Sequence, residues 1–291
     1  MQVSDGIVAL RHRIRIMLSL FTSFSGLVLP RAPPARMAVV DDFAISKVIK
    51  EVRVFDGSYD ADICEAVAQV GSACIEEKGS FSLCIPGGSV VAALKGLDKE
   101  SFDMSKMHIF FANEKIPSRP CIAGGLEVAA ALGMPTENVH GFAEEGTPEE
   151  IADKYTDLLD EHPSIDNSGA IPSCDMMLLG TGPDGHCGCL FPNSPEIMVS
   201  GAGEVVVAGN NANADGDFVA VTMDVMCATK IVLVSAAGAG RAPMVATALS
   251  GEFEAYDCPA GMVEAVEDTF WFTDKEGIAE FEAAEAIEEE D

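Results

Sequence analysis

Positive charge is scarce. The 291-residue chain has 18 Lys and Arg against 47 Asp and Glu, a formal net charge of −29. General binding to nucleic acid or to an anionic membrane needs clustered cations, so both are excluded as functions. The few cations that meet an anionic ligand must count individually. Aromatic residues make up only 7%, with a single Trp. Nine cysteines are present, but they form no CxxC pair and no recognisable ligand spacing. Reduced thiols and no metal centre are therefore expected. The apolar run at residues 16–29 is too short for a membrane span, and no internal repeat is evident.

What is present is 48% hydrophobic residues and 27 glycines. That balance fits an Ala/Val/Gly-rich α/β protein and excludes wholesale disorder. The length allows a full core in one large domain or two small ones.

The amino terminus differs in kind. Residues 1–36 hold five arginines (11, 13, 15, 31 and 36) and one acid, Asp5, around the uncharged run and a Pro-rich stretch. This composition describes a removable targeting segment over residues 1–45. It directs the chain to a plastid or mitochondrion if used, and leaves it cytoplasmic if translation starts at Met37. The alternatives are a disordered leader or a gene reading extended upstream of Met37. An α/β domain is expected over 46–280, with an acidic tail over 281–291. Residues 276–291 hold eight acids and no Lys or Arg, although Ile278 and Phe281 suit packing.

The central stretch is 174–192. Its mostly apolar residues 175–179 are long enough for a buried strand and too short for a helix. Gly180, Gly182, Pro183 and Gly185 then break the chain, and between them stand an acid, Asp184, and a titratable base, His186. A strand ending in a Gly-rich loop is where open α/β sheets place ligands.

Further strands are expected at 50–55, 81–85, 107–112, 205–208, 218–223, 231–235 and 269–273. Helices are expected at 58–77, 90–97, 125–132, after a capping box at Thr147 and Glu150, and through Leu249. Residues 210–217 read as a polar loop. The alternation predicts a single α/β domain with a mainly parallel sheet flanked by helices on both faces. Four strand ends then converge: Gly87 and Gly88 before Ser89, where free N–H groups attract an anion; Asn113, Glu114 and Lys115; Gly180 to His186; and Gly238 to Arg241.

With these residues in place the chain resembles the 6-phosphogluconolactonases. The segments are Ile85 to Ser89, Ile109 to Pro117, Asp175 to Pro192, Val232 to Ala242, and Pro259-Ala260 with Trp271-Phe272. The superfamily includes glucosamine-6-phosphate deaminases and ribose-5-phosphate isomerase and has a modified Rossmann-type fold. Leu190-Phe191-Pro192 after the Asp-Gly-His is the lactonase form. The resemblance implies hydrolysis of 6-phosphoglucono-1,5-lactone in the pentose phosphate pathway, without a metal or organic cofactor; the small-molecule lactone is the expected partner, and a monomer is expected. It implies His186 as base for the attacking water, Asp184 as its orienter and Lys115 as a neutraliser of oxyanion charge. Gly87, Gly88, Ser89, Gly185 and Arg241 would hold the sugar phosphate.

The chain also departs from the family pattern. Asn113-Glu114-Lys115 stands for Asp-Glu-Arg, and Cys187-Gly188-Cys189 for Thr-Ala-Ser. A Pro-Pro-x-Arg segment is missing from 210–217. Lysine keeps Arg's charge but loses its planar fork. Two alternatives follow: a weakened or inactive member that binds a sugar phosphate or a protein, and a deaminase or isomerase on the same fold. Cys187 and Cys189 read as passive small residues rather than activated thiols.

Overall fold

Phe81–Ile85, Phe-Ser-Leu-Cys-Ile, is buried at all five positions, and Met176–Gly180 at the first four. Strands covered on both faces read as continuous apolar runs rather than as alternation. The computed structural model describes residues 37–39, 46 and 48–288. The chain divides into 1–35 and 36–291, and every described residue lies in the second part.

Ten strands are described: β1 (Met37–Val39), β2 (Glu51–Phe55), β3 (Phe81–Ile85), β4 (Met107–Phe111), β5 (Asn113–Lys115), β6 (Met176–Gly180), β7 (Val206–Asn211), β8 (Gly216–Val221), β9 (Ile231–Ala236) and β10 (Asp268–Asp274). The helices are α1 (Asp60–Lys78), α2 (Ser89–Ala93), α3 (Pro120–Leu132), α4 (Pro148–Glu161), α5 (Met223–Ala228), α6 (Ala242–Ser250) and α7 (Lys275–Glu288). The main sheet has the order β1-β2-β10-β9-β6-β3-β4, parallel throughout except for β1.

That order places the site. From β2 through β3 to β4 the chain moves toward one edge; from β6 through β9 to β10 it moves toward the other. Parallel crossovers are almost always right-handed, so the helices of the two halves fall on opposite faces. The direction reverses between neighbouring β3 and β6, and the loops leaving their carboxyl ends flank a crevice. Trp271, Phe272, Phe81 and Phe110 are among the large side chains buried beside this sheet.

The structure differs from the sequence expectations at several points. Val206–Asn211 and Gly216–Val221 do not extend the parallel sheet. They form a hairpin that pairs with Asn113–Lys115 in a separate antiparallel sheet, order β5-β8-β7. The polar loop at 210–217 shrinks to a turn at 212–215, because Asn211 and Gly216 still pair. The strand expected to reach residue 223 ends at Val221, and α5 follows. Helix α3 begins at Pro120 rather than 125, for a reason given below. Met37–Val39 pairs with β2, and α7 runs to Glu288 with Ile278 and Phe281 buried. The rest of the expected leader lies outside the described residues, as do residues 289–291 of the acidic tail. Among the described residues no helix is long and apolar enough to cross a membrane.

Candidate active site

The loop after β6 closes on itself through its main chain. Gly182 N donates to His186 O at 2.9 Å, and Gly185 N to Gly182 O at 3.1 Å. This brings the Asp184 carboxylate against the imidazole: Oδ1 lies 2.6 Å from His186 Nδ1. Asp184 thus holds Nδ1 and leaves Nε2 as the nitrogen free for chemistry, the orientation a general base needs. A Cβ at Gly182 would overlap the imidazole, and Gly185 has φ +88. Both positions therefore require glycine. Phe191, from the Leu190-Phe191-Pro192 run, sets its ring 4.6 Å from that of His186. Gly185 O accepts from Ala260 N at 2.9 Å, which anchors the loop to the segment before β10.

The other strand ends meet this loop. Arg241 donates Nε to Thr181 O at 2.8 Å and Nη1 to Ala237 O at 3.0 Å. It tethers the β9 loop to the β6 loop, spending two of the guanidinium's five N–H donors on the main chain. The sequence reading gave Arg241 to the substrate; this positioning contact was not foreseen. Gly87 and Gly88 follow β3, and Gly88 has φ +90. Ser89 lines a cavity of about 240 Å³ with Tyr59, Ser235 and Asp274.

Lys115 is placed differently from expectation. Its Nζ pairs with Asp215 Oδ2 at 2.7 Å, at the turn of the β7–β8 hairpin. It is not paired with the Asp184–His186 couple. Both partners face water, Asp215 with 80% of its side chain exposed. Such a pair is worth only about 0–1 kcal/mol and can exchange for an incoming anion. Two residues earlier on the same face of β5, Asn113 Nδ2 donates to Cys189 Sγ at 3.1 Å, so β5 does border the loop.

Two thiols in the loop are buried. Cys187 is fully buried, and burial pushes its pKa well up. Burial likewise raises Cys189 to about 11, against a smaller opposing pull from Lys115. Neither has the thiolate fraction that reactivity requires.

Sequence reasoning placed Glu114 at the edge of the site but missed its role as a cap. It is fully buried, and its carboxylate accepts from Lys115 N at 2.9 Å, Cys121 N at 3.0 Å and Ile122 N at 2.8 Å. A remote carboxylate thus caps the start of α3, where free N–H groups and the helix dipole favour an anion. This explains why α3 starts at Pro120. Tyr59 and Asp274 were also missed: the Tyr59 hydroxyl lies 2.8 Å from Ser235 Oγ, and no local motif announces the contact.

The probable 6-phosphogluconolactonase 4, chloroplastic, of Oryza sativa subsp. indica is 27% identical over 247 residues, covering 79% of this chain and 76% of the rice protein. Among solved structures, the 6-phosphogluconolactonase of Thermotoga maritima superposes with a TM-score of 0.66 at 19% identity, covering 77% of this chain and 99% of that one. A monomeric glucosamine-6-phosphate deaminase superposes at 0.60 with 16% identity, covering 78% and 99%. The fold is therefore common to both chemistries. The model of the glucosamine-6-phosphate isomerases/6-phosphogluconolactonase family matches residues 58–271, which takes in the loops after β3, β4, β6 and β9, and the chain belongs to that family.

Proposed function

We propose that this protein hydrolyses 6-phospho-D-glucono-1,5-lactone to 6-phospho-D-gluconate, the second step of the oxidative pentose phosphate pathway. The observation that carries the reading is the Asp184–His186 contact of 2.6 Å on a Gly-rich loop at the switch point of the sheet. It is supported by Phe191 of the lactonase-type tripeptide lying against the His186 ring, and by the lactonase names of relatives such as the rice protein.

In this mechanism His186 Nε2 takes a proton as water adds to the lactone carbonyl, while Asp184 steadies the imidazolium that forms. The tetrahedral intermediate collapses by breaking the bond from C1 to the ring oxygen. The imidazolium returns its proton to that oxygen, and the new carboxylic acid ionises to solvent. Lys115 balances the developing oxyanion after leaving Asp215. Gly87, Gly88, Ser89, Gly185 and the remaining donors of Arg241 hold the sugar phosphate.

The test uses lactone generated in situ, with spontaneous hydrolysis subtracted. Wild type turns over well above background, and His186→Ala lowers kcat by about 10²–10⁴, the usual range for a general base. Near wild-type hydrolysis by a folded His186→Ala protein removes the base assignment. A second reading, a weakened or inactive member that binds a sugar phosphate, is favoured by the Lys115–Asp215 pair and the missing Arg in 210–217. It is upheld if the folded protein binds 6-phosphogluconate and hydrolyses no lactone.

A further inference from the structure

At the β4 edge of the sheet, three histidines from distant parts of the chain meet. His108 is the second residue of β4, at the amino end of the strand and so at the opposite end from the catalytic loops. His140 follows a short turn that pairs beside β4, and His162 ends α4. Nδ1 of His108 lies 3.0 Å from Nε2 of His140. One ring nitrogen from each of the three falls within 4.8 Å of the others. Among the described residues no other group of three His, Cys, Asp or Glu side chains is gathered this closely.

We propose that His108, His140 and His162 form a binding site for one divalent transition-metal ion of the zinc, cobalt or nickel class. The geometry is close to what such an ion needs. Two nitrogens at 2.0–2.1 Å from a tetrahedral metal stand about 3.3 Å apart. The His108–His140 pair is already within a few tenths of an ångström of that, so an ion replaces the proton the two rings share. The third ring closes by side-chain rotation.

The rings are carried on a fixed backbone. His140 N donates to Ile109 O at 2.8 Å, and His140 O accepts from the Tyr155 hydroxyl at 3.2 Å. His162 N donates to Leu158 O at 3.1 Å. Phe110 stacks on the His140 ring at 4.8 Å and meets His162 edge-on at 5.0 Å. Ser164 Oγ lies 2.8 Å from His162 Nδ1. Ser164 N also donates to that Nδ1, at 3.2 Å, so these contacts hold Nδ1 as an acceptor and leave Nε2 as the ligand, which gives up its proton when the ion binds.

The donor set selects the ion. Three imidazoles without a carboxylate suit zinc, cobalt, nickel or copper and not calcium or magnesium, which need oxygen. Burial favours the neutral form of each ring, which is the form that ligates. Burial lowers each pKa first, and the neighbouring rings and Lys78 add to it, taking His140 down to about 4. The rings are half-buried, so a fourth position stays open to water. Bound there, the ion ties the edge strand, the segment after α3 and the end of α4 together.

The experiment is a titration of the full chain with Co²⁺, followed by its visible absorption, with Zn²⁺ competition and reductant present. One equivalent is expected to bind with nitrogen and oxygen coordination and no thiolate charge-transfer band. His108→Gln, His140→Gln and His162→Gln should each weaken it by at least about tenfold, while His186→Ala should bind like wild type. Zn²⁺ should raise the melting temperature of wild type and not of these Gln variants. In case the variants do not fold, the wild type alone decides by imidazole NMR. Of the five histidine rings, those of 108, 140 and 162 should shift at one equivalent of Zn²⁺. Absence of binding, thiolate coordination, loss of binding in His186→Ala, or shifts at other rings would overturn the site.

Discussion

A methyl group added at Gly182 would overlap the His186 ring and stand 2.6 Å from Asp184 Oδ1. Gly182→Ala is therefore expected to displace the base and lower kcat by at least about 10²-fold, the cost of a misplacement near 1 Å. Its fold should survive, checked by an unchanged far-ultraviolet spectrum beside the activity assay. At the same scale, Lys115 and Asp215 give a test with the opposite sign. If Lys115 leaves Asp215 to meet the lactone, Asp215→Ala frees it and raises kcat/KM a few-fold at low salt. Lys115→Ala lowers kcat/KM. The effect of Asp215→Ala should fade at high ionic strength, because both partners are exposed. No change in either variant would remove Lys115 from the mechanism.

Helix α3 depends on a carboxylate that is not its own. Glu114→Ala leaves the N–H groups of Lys115, Cys121 and Ile122 without the acceptor they use. A loss of about 3 kcal/mol is expected, the scale of buried donors left unmet. Urea unfolding measures it, as a lower midpoint at unchanged slope. Helix α4 carries its cap locally: Thr147 Oγ1 accepts from Glu150 N at 3.2 Å, and Glu150 Oε2 accepts from Thr147 N at 3.0 Å. Thr147→Ala should cost only about 1 kcal/mol. The two helices show why one start was legible in the sequence and the other was not. A capping box lies within four residues, whereas Glu114 stands ahead of α3 and reaches it through the turn at 116–119, where Arg119 N donates to Lys115 O at 2.9 Å.

Across the whole molecule, Asp175 gathers three parts of the chain at the amino end of the sheet. Its side chain is 1% exposed, with Lys78 Nζ at 2.8 Å, Lys230 Nζ at 3.0 Å and Ser82 N at 2.9 Å. Burial pushes the Asp175 pKa up, but the Lys78 bond, the Ser82 N–H and Lys230 outweigh it and hold it below the usual value. A depressed folded pKa contributes stability that is complete above the unfolded value, near 4, and lost as pH falls through the folded one. For Lys230, burial pulls the pKa down but the Asp175 bond outweighs it, so the net shift is upward. That contribution is complete below the ordinary lysine value and is lost as pH rises through the folded one. Asp175→Asn should cost about 3 kcal/mol near neutrality, at the low end for a broken buried pair because both lysines keep access to water. The gap between wild type and variant should narrow as melts are taken below pH 4; a gap that stays constant would remove the ion pairs as its cause.

The α/β class, the buried strands β3, β6 and β9, the capped helix α4 and the Gly-rich loop that carries Asp184 and His186 were all legible in the amino-acid order. These follow from short-range rules: apolar runs, glycines at forced turns and caps within one helical turn. That β5, β7 and β8 form their own antiparallel sheet came only from long-range contacts, because β5 pairs with the β7–β8 hairpin from far earlier in the chain. The tertiary structure alone set Lys115 on Asp215, Arg241 on the Thr181 carbonyl and Glu114 on α3. It alone brought His108, His140 and His162 together, since intervals of this length carry no local periodicity and the parallel sheet edge closes them.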